Sequence, residues 1–79
     1  MKFIGNVSTH GRPIARGITI NLRMHGARWH GEIQLPKGAS ISPGSYLLQL
    51  RDRRSGRITI DQINGDTAYF NGDGQLKKQ

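Results

Sequence analysis

The chain has 79 residues, enough for one domain, and carries 12 Lys+Arg against 5 Asp+Glu for a net charge of +7. It has no cysteine, which excludes a disulfide framework and thiolate zinc sites and fits a reducing compartment. A domain this small buries only roughly 60% of its unfolded surface, so a thin core is expected.

Residues 1–6 lack the apolar stretch of a secretory signal, and no apolar run exceeds three residues. A cytoplasmic protein without a membrane span is therefore expected. Glycine, at 11 residues, organises the chain. Apolar alternation runs between glycines, and no segment has a convincing helical period. Phe3 and Val7 mark a first strand that ends at His10-Gly11-Arg12-Pro13. Pro13 cannot donate to a ladder, so it belongs at the turn or at a strand start. The clearest strand spans 14–24, where Ile14, Ile18, Ile20, Leu22 and Met24 share a parity that only Arg16 interrupts. His25-Gly26-Ala27 is short enough for a hairpin, with Gly26 free to take φ > 0. The partner strand, 28–35, turns Trp29, Gly31, Ile33 and Leu35 inward.

Residues 36–44 hold two prolines and two glycines, which exclude regular structure; Ile41 is predicted to plug the barrel's open end there. A strand over 45–52 puts Tyr46, Leu48 and Leu50 on one face. Arg53-Arg54-Ser55-Gly56 is predicted to turn it, and 57–64 to return. Ile63 breaks the parity of Ile58 and Ile60, and a bulge near Asp61-Gln62 would bring all three inside. Asn64-Gly65 is the strongest hairpin signal, leading to a strand over 66–71 with Ala68 and Phe70 inward. Residues 72–79 are expected as a flexible basic tail, with Leu76 docking back. The pattern predicts an all-β domain over 1–71, about six short strands closed as a small antiparallel up-and-down barrel or a two-sheet sandwich of SH3-like or OB-like size.

Alternate turns of such a meander lie at one end. The turns at His25-Gly26 and Arg54-Ser55-Gly56 should then bring Arg23, Arg28, Arg51, Arg53, Arg54 and Arg57 together, with only Asp52 to compensate. Eight of the twelve cations are arginines, which match phosphate and carboxylate bidentately. Ser55 and the Gly56 amide would add neutral donors. A concentrated positive end asks for an acidic partner. Of Phe3, Trp29, Tyr46, Tyr69 and Phe70, only Tyr69 has outward parity. That deficit disfavours base stacking and favours contact with the backbone.

His25 and His30 can approach across their hairpin, but with His10 remote no third ligand joins them, and no metal is expected. Asn71-Gly72-Asp73-Gly74 lacks the later oxygen ligands of a calcium loop and reads as turn chemistry. Serine, histidine and aspartate form no nucleophile constellation, so neither enzyme activity nor a cofactor is expected. The expected function is non-enzymatic binding of nucleic-acid phosphate backbone, or of an acidic protein, through the arginine-rich end. Four or five neutralised phosphates would make log K fall with log salt at a slope of roughly −3 to −4.5. The alternative is a protein-interaction or assembly module using exposed Leu47 and Tyr69, or an open strand edge.

Overall fold

Glycine-punctuated period-2 alternation leaves no segment a stable helical face, and the chain resolves it by pairing strands throughout. The computed structural model describes residues 1–78. Its strands are β1 (Lys2–Thr9), β2 (Arg12–His25), β3 (Arg28–Gln34), β4 (Gly44–Leu50), β5 (Arg54–Asn64) and β6 (Thr67–Lys78). They close into an antiparallel barrel in the order β1-β2-β3-β6-β5-β4. The expected small all-β fold is therefore a barrel and not a sandwich. Its circuit comprises two three-stranded meanders, with β3 paired to β6 and β4 to β1. The pairing of β1 with β4, Gly5–Ser8 against Leu47–Leu50, closes the ring.

β3 and β4 stand on opposite sides of the ring, so the segment between them crosses one end of the barrel. Ile41 packs from that segment onto the core, as the sequence predicts. The bulge near Asp61 is also present: the β5–β6 register shifts between Ile60 and Gln62, and Ile63 turns back against the core.

The alternation expected across 14–24 changes partway. Asn6 faces two residues, Arg16 and Gly17, so the β1–β2 register shifts between Gly5↔Ile18 and Val7↔Ala15. Gly17 takes φ 62° and donates its amide to Asn6 Oδ1 at 3.0 Å. A bulge of this kind inverts the parity upstream of it. Ala15 is buried and Ile14 exposed, the reverse of the expected placement. Met24 has the predicted parity but lies where the β2–β3 hairpin runs past the first β1 pair, Lys2↔Asn21, and it is 51% exposed.

The core comprises Val7, Ala15, Ile18, Ile20, Leu22, Trp29, Ile33, Leu35, Leu48, Leu50, Ile58, Ile60, Ala68 and Phe70, with no buried polar side chain among the described residues. Trp29 closes the end opposite the crossing segment. Its indole packs edge-on to Phe70 at 6.1 Å and donates Nε1–H to the Gly74 carbonyl at 2.9 Å. It lies directly over the backbone of Gly56 and Gly72, where an added Cβ would come within 2.8 Å and 2.1 Å of ring atoms.

Two features depart from the expectation set by the sequence pattern. Gly56 is a buried residue of β5, and the turn lies earlier, at residues 51–53. Arg53 takes the left-handed position at φ 75°. What Gly56 supplies is space for the indole. Residues 72–78, expected as a flexible tail, continue β6 and pair Asp73 with Arg57, Lys77 with Ser55 and Lys78 with Arg54. A shift between Ser55 and Arg57 bows the strand around Trp29, and Leu76 packs on the core. Gln79, the last residue of the expected tail, lies outside the described residues.

Candidate functional site

Antiparallel pairing places the β2–β3 turn, the β4–β5 turn, the start of β1 and the finish of β6 at the same end of the barrel. The two turns singled out from the sequence do share an end. Eight cations gather there: Lys2, Arg23, Arg28, Arg51, Arg53, Arg54, Lys77 and Lys78. Among the described residues the carboxylates toward that end are Glu32, Asp52 and Asp73, the last accepting a hydrogen bond from Thr59; Asp61 lies on the outer wall, accepting from Asn71, and Asp66 at the far end.

The six arginines proposed from sequence fall into three groups. Arg28, Arg51 and Arg53 are exposed and form no ion pair among the described residues. Arg23 and Arg54 already have carboxylate partners. Arg23 grips both oxygens of Glu32 through its two terminal nitrogens. The hydrogen bond from Arg23 is the main cause of a Glu32 carboxyl held below its usual range, and the charges of Arg23 and His30 add to it. Arg54 donates its backbone amide to Asp52 Oδ1 at 3.1 Å and Nε to Oδ2 at 2.9 Å. Partial desolvation alone would raise the Asp52 carboxyl. The hydrogen bonds from Arg54, with the charges of Arg54 and Lys78, outweigh it and lower that carboxyl. Arg57 is apart from the others: it stands on the outer wall, between Leu47 of β4 and Asp73 of β6 in register.

Lys77 and Lys78 belong to the basic end and were missed from sequence because their segment was read as a tail. A signal was available, since Leu76 shares the tail and needs burial. Glu32 was missed as the partner of Arg23 because the two meet diagonally: Arg23 is opposite His30, with Glu32 two residues further along β3.

An apolar cleft of ≈ 190 Å³, lined by Met1, Phe3, Leu22, Met24 and Arg54, opens at the same end. Phe3 is half-buried, and the Arg54 guanidinium carbon lies over its ring, 4.8 Å from the centroid. Beside the cleft, on the outer face of the β2–β3 hairpin, His25 and His30 stack with ring centroids 5.3 Å apart and planes within 3°. No group of three or more metal-ligating side chains occurs among the described residues, nor does any helix long and apolar enough to cross a membrane.

The residues considered for a protein-interaction surface do not meet. Leu47 and Tyr69 are exposed to similar extents, 36% and 37%. Leu47 lies in the cross-strand row of Ser8 and Arg57, whereas Tyr69 lies in that of Glu32 and Gln62, with β5 between their strands. Neither joins the basic end.

Fold and site together define a small closed β-barrel with one strongly basic end. The chain matches no protein-family model, no curated protein and no solved structure.

Proposed function

We propose that this protein is a non-enzymatic binding module that holds a polyanion, foremost the phosphate backbone of nucleic acid, against the basic end of the barrel. One observation carries the reading. Arg28, Arg51, Arg53, Lys77 and Lys78, from three separate parts of the chain, converge on one end, and none forms a salt bridge among the described residues, although the charge of Lys78 is felt at Asp52. Like charges held together by a fold repel one another, and that cost is relieved when an anion sits among them. Arg28, Arg51 and Arg53 offer planar forks to phosphate oxygens, and the lysines add point charges.

Five neutralised phosphates correspond to a slope of log K against log salt of roughly −3.5 for a single strand and −4.5 for duplex DNA. The test is fluorescence anisotropy with labelled single- and double-stranded oligonucleotides at about 50 and 200 mM salt. Reversing Arg51 and Arg53 together to glutamate should weaken binding and reduce the slope by about 1 for each arginine. Arg57→Glu, on the outer wall, should leave affinity unchanged. Salt-insensitive binding, no binding, or equal losses in the two variants would each overturn the reading.

A further inference from the structure

The basic end carries more than charge. On it opens the cleft between Met1, Phe3, Leu22 and Met24, with Arg54 at its wall. The cleft's ≈ 190 Å³ lies below the roughly 300–1,000 Å³ of sites that take drug-sized ligands. Its occupant is therefore limited to about one ring system. The lining side chains, that of Met1 included, are apolar apart from the guanidinium.

Arg54 differs from its neighbours in two respects. It is already paired with Asp52, so it has less to gain from a phosphate than the arginines without a salt bridge. Its side chain is also held from two directions, by the hydrogen bond at Nε and by the face of Phe3. A guanidinium fixed in this way is a stacking surface whose ordering cost has already been met in the free protein. Arginine planes and aromatic rings are the surfaces on which unpaired bases stack. Met24, on a hairpin that projects beyond the barrel, supplies a polarizable, adaptable side to the same cleft. The surroundings complete the fit. Arg51, Arg53 and Lys78 flank Arg54 along the chain or across the β5–β6 ladder, and the hairpin that bears Met24 also bears Arg28.

From this geometry we infer that the cleft bounded by Phe3, Leu22, Met24 and Arg54 receives one unstacked base of a single strand while the surrounding cations hold its phosphates. The inference rests on the polyanion reading and adds a preference to it: single strands over duplex, and base-bearing strands over bare backbone. A duplex keeps its bases stacked and cannot fill the cleft without the cost of unpairing.

The test compares a labelled thymidine oligonucleotide with an abasic strand of the same length and phosphate number, with duplex DNA, and with vesicles of anionic phospholipid. Wild-type protein should bind the thymidine strand about tenfold more tightly than the abasic strand, the lower part of the range for stacking one base. Arg54→Lys keeps the charge but removes the plane, and should reduce affinity for the thymidine strand to that for the abasic one. Met24→Ser, at an exposed position where folding is not at stake, should do so in part. Equal, salt-sensitive binding of the two strands would overturn the base site and leave the polyanion reading standing. Binding to neither strand would overturn both. Binding to vesicles alone would assign the apolar cleft and basic rim to a lipid surface and overturn both as well.

Discussion

Gly72→Ala tests the packing that closes the basic end of the barrel. A methyl group at Gly72 would stand 2.1 Å from Trp29 Cε2, 2.3 Å from Cδ2 and 2.5 Å from Nε1. Ordinary carbon contacts need about 3.5–4.0 Å, so the indole would have to move by more than an ångström. It has nowhere to go. The backbone of Gly56 also supports the ring, Phe70 packs edge-on to it, and its N–H is tied to the Gly74 carbonyl.

Overpacking of this kind costs about 1–3 kcal/mol, and separating the indole N–H from its acceptor adds about 1–3 kcal/mol. The reduced chain entropy of alanine in the unfolded state returns only about 0.4–1 kcal/mol. A net loss of about 3 kcal/mol is a large part of the roughly 4–12 kcal/mol that a chain of this length possesses. Thermal unfolding followed by circular dichroism should show Tm lowered by at least about 12 °C, at about 4 °C per kcal/mol. Trp29 fluorescence should shift to the red as the indole meets water. In a Trp29→Leu background the methyl has room, so the same substitution should cost less than about 1 kcal/mol. The cycle should then show a coupling of about 2 kcal/mol. A Gly72→Ala protein with wild-type Tm, or additive effects in the two backgrounds, would refute the account of Gly72 as space reserved for the indole.

Other substitutions probe the rim and the bulge. Arg53 holds φ 75° at the turn, a conformation costing a residue with a side chain about 1–2 kcal/mol. Arg53→Gly should therefore leave stability unchanged or raise it by about 1 kcal/mol after the backbone entropy of glycine is counted, while weakening polyanion binding. A clear fall in Tm would contradict this. Glu32 has a carboxyl pKa lowered by Arg23 from an ordinary value of 4.5. The stabilisation from the pair is thus present above that value and is lost as pH falls through the folded-state pKa. Melting curves taken through the carboxylate range should show a steeper acid decline for wild type than for Glu32→Gln, the two converging at the acid limit. At neutral pH the same variant frees Arg23 and should bind polyanion more tightly, as anisotropy can measure. Asn6→Ala removes the acceptor for the Gly17 amide and should cost about 1 kcal/mol by denaturant unfolding; no change would show that Gly17 alone sustains the bulge.

Much of the barrel was legible because period-2 alternation and glycine turns are local signals. Ile63 announced its bulge by breaking parity, and Ile41 its burial by being the one large apolar residue in a proline-glycine segment. What could not be read depended on register. The bulge at Arg16-Gly17 hides within the alternation, since Ile14 and Ile18 agree in parity whether or not two residues face Asn6. Gly56 looked like a turn glycine because its neighbours are polar, yet its smallness answers to Trp29, distant in sequence. The same holds at the site. The crowding of arginines is visible in composition, but that Glu32 engages Arg23, that Asp52 engages Arg54 and that Arg57 lies on the wall are consequences of pairing. Phe3 has inward parity, and its place at the mouth beneath Arg54 follows from where β4 stops.

Both ends of the described chain lie at the basic end: Met1 hydrogen-bonds to Asn21 and Leu22, and Lys78 pairs with Arg54. Any affinity tag, fluorophore or carrier protein fused to either terminus would therefore hang beside the cations and over the cleft. A weak binding result from a tagged protein would report the tag as much as the barrel. A tag inserted within residues 36–43, across the barrel, would stand at the far end and leave the basic end uncovered.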